Sequence, residues 1–257
     1  MESLEINKSK KFSEFFDEVD FVRKIDFLVL HHVEANSAQH AIDQFLECKV
    51  SSHFLIDESG EIFQLVDENN IAYHAGVSFW RGVDGLNKTS IGIEFINSAP
   101  FDKKFELVQM QAGVKLCKYL IKKYNIEAQN IVGHSDIAYD KETGFLDRKQ
   151  DPSHLFDWKF LAQNGVSISA NNFYLENDNA ILKYGDTDSR IGEVKKSLMK
   201  FGYKVFNLDN NFDSDMMCLA VVFNRRFSQR IFQDSQNAWH ESSQLALDKL
   251  LDKLNSQ

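Results

Sequence analysis

Four polar groups stand at the ends of separate apolar runs: His31-His32, Glu94, His134 with Ser135-Asp136, and Lys149-Gln150-Asp151-Pro152. Imidazole nitrogen and carboxylate oxygen are ordinary zinc ligands, and a catalytic zinc keeps three protein ligands with one position open to water. His31, His134 and Asp151 would form such a set, with Glu94 as a carboxylate able to carry a proton. No His-Glu-x-x-His or other local spacing joins them, so residue type alone leaves this triple as one candidate among several. Cys48, Cys117 and Cys218 are odd in number, widely spaced and without Cys-x-x-Cys. They are expected as buried thiols, with neither a disulfide framework nor a thiolate metal site.

In α/β sheets, sites assemble at strand ends and in the loops that leave them. Asp26 to His31 reads as a strand, after which Asn36-Ser37 caps a helix over Ala38 to Cys48. His53 to Asp57 and Glu61 to Val66 flank the turn Glu58-Ser59-Gly60, the pattern of a hairpin. Ser90 to Ile96 alternates sides, which separates Glu94 from Ile93 and Phe95. Leu107, Met110, Val114, Cys117, Ile121 and Tyr124 recur at helical spacing, predicting a helix over 105–124 that lies on the sheet. Asn130 to His134 is a further short strand, the long polar stretch 135–150 has the character of a functional loop, and 156–162 predicts a closing helix.

Periodicity lapses between Asn164 and Asn179, then three new helical stripes begin. They are Ile191, Val194, Leu198 and Phe201; Met216, Leu219, Phe223 and Phe227 after the capping candidate Asp213; and Leu247, Leu250, Leu251 and Leu254. The predicted division is therefore an α/β domain over residues 1–165 with its first ~20 residues as an extension, a linker over 166–179, and a helical domain over 180–257. A chain of 257 residues, 43% hydrophobic and 26% charged, has the length and balance for two globular units. Its net charge of −9 argues against nucleic acid as a partner. No run reaches the roughly 20 apolar residues of a membrane span. The first residues lack the apolar run and cleavage site of a signal peptide, which favours the cytoplasm.

Seven segments in order carry a family resemblance: Leu28 to His32, Val50 to Asp57, Ala72-Tyr73-His74-Ala75-Gly76, Leu86-Asn87, Ser90-Ile91-Gly92-Ile93-Glu94, Val132 to Ile137, and Arg148 to Pro152. Over about residues 25–162 the chain resembles the N-acetylmuramoyl-L-alanine amidase type 2 family, the branch of AmpD- and AmiD-type enzymes. The resemblance implies a mixed central sheet with flanking helices and one zinc per chain, held by His31, His134 and Asp151. It implies Glu94 as the catalytic carboxylate, Lys149 as an aid at the reacting carbonyl, and hydrolysis of the amide between N-acetylmuramic acid and L-alanine. The substrate would be peptidoglycan or muropeptides, in wall degradation, remodelling or recycling; the sequence does not choose between the muramyl and 1,6-anhydromuramyl forms, and is silent on oligomeric state.

His74, Trp80 and Asn87 fall where substrate contacts are expected, against a packing role for Trp80 and Asn87 and an outer-shell role for His53 and His74. His32 stands where the family usually has tyrosine and reads as packing. Two departures matter: Ser153 follows Asp151-Pro152 where glycine is usual, and residues 140–147 form a small insertion. Residues 181–227 resemble the three-helix peptidoglycan-binding domain 1 module, which favours the envelope and so opposes the cytoplasmic reading; periplasmic or secreted placement is the alternative. Two rival readings stay open: a non-catalytic peptidoglycan receptor, of the kind that arises when a ligand is lost, and a zinc peptidase acting within the stem peptide.

Overall fold

The computed structural model describes residues 4–8, 14–100, 103–170, 175–228 and 238–256. The chain forms two compact units that interleave along the sequence: residues 1–76, 85–134 and 151–168 make one, and residues 77–84, 135–150 and 169–257 the other.

The first unit is built on a five-stranded sheet in the order β4-β3-β8-β2-β9. Its strands are β2 (Phe27–Glu34), β3 (Phe54–Ile56), β4 (Ile62–Gln64), β8 (Ser90–Asn97) and β9 (Ile131–Gly133). Strands β3, β8, β2 and β9 run parallel, and β4 returns antiparallel through the expected hairpin, so the sheet is mixed. Parallel neighbours need crossovers, and α1 (Ala38–Cys48) and α2 (Leu107–Tyr124) lie in two of them. Ser37 caps α1 by accepting from the His40 amide.

The alternation of side chains along each strand sorts the two faces. Leu28, Leu30, Ile91, Ile93, Phe95, Phe54 and Ile56 pack with Met110, Leu116, Cys117 and Leu120 of α2. On the other face Val33, Leu55 and Ile96 pack with Ala41, Ile42 and Phe45 of α1. His31 and Glu94 belong to this second face and are register partners on β2 and β8. The N-terminal residues also take part: Asn7 bridges to Phe63, and β1 (Phe16–Asp17) pairs with β5 (Ile71–Ala72).

The second unit holds α5 (Ser189–Phe201), α6 (Ser214–Phe227) and α7 (Glu241–Asn255), as the three stripes predict. Asp213 caps α6 by accepting from the Met216 amide. A ribbon of β10 (Ala180–Lys183) and β11 (Ala238–His240) ties the start of the unit to α7. The hairpin of β6 (Phe79–Trp80) and β7 (Val83–Asp84) belongs to the same unit. Of the cysteines, Cys117 is buried, whereas Cys218 is half-buried and Cys48 exposed, against the expectation of buried thiols; Cys48 is the last residue of α1, beyond the buried Phe45. No helix among the described residues is long and apolar enough to cross a membrane.

Candidate metal centre

Register accounts for the meeting of residues far apart in sequence. Gly133 pairs with Leu30, so His134, the next residue, enters α3 (His134–Ile137) level with His31. Glu94 is level with His31 on the adjoining strand. Asp151 arrives from a loop: its Oδ2 lies 3.0 Å from His31 Nδ1 and 3.1 Å from His134 Nδ1. One donor atom from each of His31, His134 and Asp151 falls within 4.8 Å of the others, and both histidines are buried. Glu94 Oε1 stands 4.0 Å from His31 Nδ1, and only 9% of the residue is exposed.

Hydrogen-bond partners fix which ring nitrogens face the centre. The Ser90 hydroxyl donates its one hydrogen to the Leu86 carbonyl at 2.7 Å, so its oxygen accepts from His74 Nε2 at 3.1 Å. Burial first, then the neighbouring His31 and His53, hold the His74 pKa well below the usual histidine range, so its ring is neutral. With the hydrogen on Nε2, His74 Nδ1 accepts from His31 Nε2 at 3.1 Å. His134 Nε2 donates to the Ala75 carbonyl at 3.2 Å. In the neutral rings both Nδ1 lone pairs therefore point at the Asp151 carboxylate. Burial alone would raise the Asp151 pKa; protonated rings at His134 and His31, charged and donating from Nδ1, reverse this and hold it well below the carboxylate range.

Three acceptor atoms converging in this way require a cation, or protons on the rings, to offset their repulsion. The set fits a divalent metal with nitrogen and oxygen preference, for which ligand atoms about 2.0–2.1 Å from the ion are roughly 3.3 Å apart in tetrahedral geometry. Outer partners that fix the ring nitrogens, as His74 and Ala75 do here, are characteristic of such sites.

The remaining predicted residues take the following places. His74 is 8% exposed, with both ring nitrogens engaged inside the site. Gly92 is matched to it: a Cβ there would sit 2.5 Å from the His74 ring. Asn87 Oδ1 accepts from the amides of His74 and Ala75, at 3.2 and 2.7 Å, and so holds the backbone that carries the Ala75 carbonyl. Trp80 is fully buried, edge-on to Phe201 and Tyr203, so the groove-lining expectation gives way to packing: an enclosed indole offers no surface to a substrate. His53 is 0% exposed, its Nδ1 accepting from the Gly92 amide and its Nε2 donating to the Asn70 carbonyl. The His32 ring lies 6.1 Å from that of Phe105, as packing predicts. Lys149 is exposed and falls in the second unit. Ser90 carries no site role in the sequence beyond opening the Ser90-Ile91-Gly92-Ile93-Glu94 segment of the family resemblance, on the strand that bears Glu94.

The sequence model of the N-acetylmuramoyl-L-alanine amidase family matches residues 21–154. The chain is 34% identical over 200 residues to the N-acetylmuramoyl-L-alanine amidase AmiD of Escherichia coli K12, covering 71% of this chain and 68% of that one. It is 32% identical over 167 residues to the 1,6-anhydro-N-acetylmuramyl-L-alanine amidase AmpD of Haemophilus influenzae, covering 57% of this chain and 86% of that one. Among solved structures, Escherichia coli AmiD in complex with anhydro-N-acetylmuramic acid-L-Ala-D-gamma-Glu-L-Lys superposes with a TM-score of 0.72 at 28% identity, over 95% of this chain and 100% of that one.

Proposed function

We propose that this chain, which belongs to the N-acetylmuramoyl-L-alanine amidase family, is a zinc-dependent hydrolase of the amide between N-acetylmuramic acid, or its 1,6-anhydro form, and the L-alanine of a stem peptide. The observation that carries this reading is the convergence of His31 Nδ1, His134 Nδ1 and Asp151 Oδ2 beside Glu94. Zinc, one per chain, is assigned to the two imidazoles and the carboxylate; when bound it supplies a Lewis acid that polarises the amide carbonyl and brings the pKa of water to about 7.

The chain's own groups do the rest. Glu94, held on β8 and largely shielded from solvent, accepts a proton from the attacking water at a carboxylate oxygen. It then delivers that proton to the L-alanine nitrogen as the amide breaks, since an amine leaves readily only when protonated. Lys149, two residues before Asp151, is assigned a positive charge near the carbonyl oxygen, where one such donor typically contributes about 100-fold to 1,000-fold in rate. Residues 180–257 are assigned the task of holding peptidoglycan, which raises the local concentration of cleavable bonds.

Purified protein incubated with defined muropeptides, with and without a chelator, tests the reading by mass spectrometry. Intact stem peptide is the expected product, and the chelator abolishes its release. Glu94→Ala is expected to keep its zinc and lose about 100-fold or more in kcat. Cuts between amino acids would instead identify a peptidase, and tight binding without any product a receptor.

A further inference from the structure

The proposed second and third ligands, His134 and Asp151, are separated by 16 residues, 135–150, that belong to the second unit. Both ends of this connection are gripped by one turn of one helix. Near its start, Asp136 accepts from Arg226 Nη1 at 2.6 Å through Oδ2 and from the Tyr203 hydroxyl at 3.2 Å through Oδ1. Near its end, Asp147 Oδ1 accepts from Arg225 Nη2 at 2.6 Å, and the Lys149 carbonyl lies 3.5 Å from Arg225 Nη1. Both arginines are nearly enclosed, at 3% and 4% exposure, and Asp136 is 1% exposed. Consecutive helical residues point about 100° apart, which lets neighbouring arginines reach two separate points of a loop.

Enclosed ion pairs of this kind are costly to form and hold their geometry tightly once formed. Core packing alone would favour apolar side chains on this turn. Asp136 lies two residues after His134, and Asp147 four before Asp151. Gly133 is held by its pairing with Leu30, whereas Asp151 arrives from the loop, so the freedom of an untethered 16-residue connection bears most directly on Asp151.

We propose that Arg225 and Arg226 are positioning residues for the metal centre: by fixing Asp147 and Asp136 they set where the connection delivers its two flanking ligands. The proposal rests on the reading of His134 and Asp151 as ligands. The helical unit then has a second task besides any contact with polymer, since α6 preorganises a loop that is peptide-bonded to the centre at both ends.

The test uses the full chain with Arg225→Met, Arg225→Lys and Arg226→Met. Arg225 is the primary site because Asp147 is partly exposed, at 27%, whereas removing Arg226 leaves the enclosed Asp136 without its cation and endangers folding. Three quantities are read: zinc affinity by competition with a chelating dye, hydrogen exchange of peptides from 135–150 in metal-free protein, and kcat and KM on a soluble muropeptide. Arg225→Met is expected to keep its Tm within a few degrees, to exchange faster across 135–150, and to bind zinc about 10-fold to 100-fold more weakly, as when partners of metal ligands are removed. Arg225→Lys is expected to recover part of that affinity. Wild-type zinc affinity and unchanged exchange in Arg225→Met would overturn the proposal while leaving the metal centre standing. A wild-type protein that binds no zinc would overturn the metal centre itself, and the proposal with it.

Discussion

Ser90 shows how far from the proposed metal centre a residue can act. Its hydroxyl hydrogen is committed to Leu86, which makes its oxygen an acceptor for His74 and in turn decides that His31 presents Nδ1 inward. Ser90→Ala removes the acceptor, so His74 can carry its hydrogen on either nitrogen and no longer enforces the His31 tautomer. Zinc affinity is expected to fall about 10-fold with the fold intact; equal affinities in a dye competition would show that His31 keeps its orientation unaided. Ser153 makes a second case. The family's usual glycine is replaced, yet the backbone keeps φ 72°, a left-handed conformation that costs a residue with a Cβ about 1 kcal/mol. Ser153→Gly relieves that conformation but adds about 0.4–1 kcal/mol of unfolded-chain entropy and removes the Oγ that accepts from the Leu155 amide, so the urea midpoint is expected to stay within about 0.5 kcal/mol of wild type.

Among the elements, α2 comes unusually near the sheet at Gly113, where a Cβ would meet the edge of the Phe95 ring at 2.6 Å. Two effects oppose one another in Gly113→Ala. Helix propensity favours alanine by about 1 kcal/mol. Phe95, fully buried and in edge contact with Phe105 and Phe156, has little room to yield, and overpacking of this kind costs about 1–3 kcal/mol. The net expectation is a loss of about 1 kcal/mol in chemical unfolding with zinc affinity unchanged, because His31 and Glu94 lie on the opposite face.

Elements with their own periodicity were legible in the sequence: α1 spans Ala38–Cys48 as read, α2 begins two residues late, and the hairpin of β3 and β4 surrounds the expected turn. What escaped depends on partners distant along the chain. Strands β1, β5, β6 and β7 are two residues each, too short to alternate, and β10 pairs with β11 across more than fifty residues. The same holds at the site. The imidazole and carboxylate types were visible, and the family resemblance singled out the triple that converges here, but the Ser90-His74-His31 relay needs the strand register, and the burial of Trp80 needs Phe201 and Tyr203, about 120 residues further on.

For the molecule as a whole, two buried groups predict opposite responses of its units to mild acid. His53, in the first unit, is enclosed beside the Arg23 guanidinium; burial and then that charge push its pKa down to about 3. Unfolded, it titrates near 6.5, so between pH 6.5 and 3 the unfolded chain holds the extra proton and stability falls as pH falls. Going from pH 7 to 5 therefore costs this unit about 2 kcal/mol through His53. Asp215, in the second unit, is 2% exposed, and burial raises its pKa to about 6. Here the folded state holds the proton over the range between about 4 and 6, so the penalty of the buried charge is present in full above pH 6 and lifts as pH falls. The same change gives this unit about 1 kcal/mol. In this second unit the carboxyls Asp140, Asp188 and Asp209, held below their ordinary values, titrate below this window and do not alter the sign. Urea midpoints of metal-free protein, read for each unit by pulse proteolysis with peptide mapping, should fall for the first unit and hold or rise for the second between pH 7 and 5. His53→Gln should reduce the first response, leaving the part carried by His74, which is likewise buried and held well below the usual histidine range, and Asp215→Asn should flatten the second; parallel shifts in wild type and both variants would mean that neither group governs the acid response of its unit.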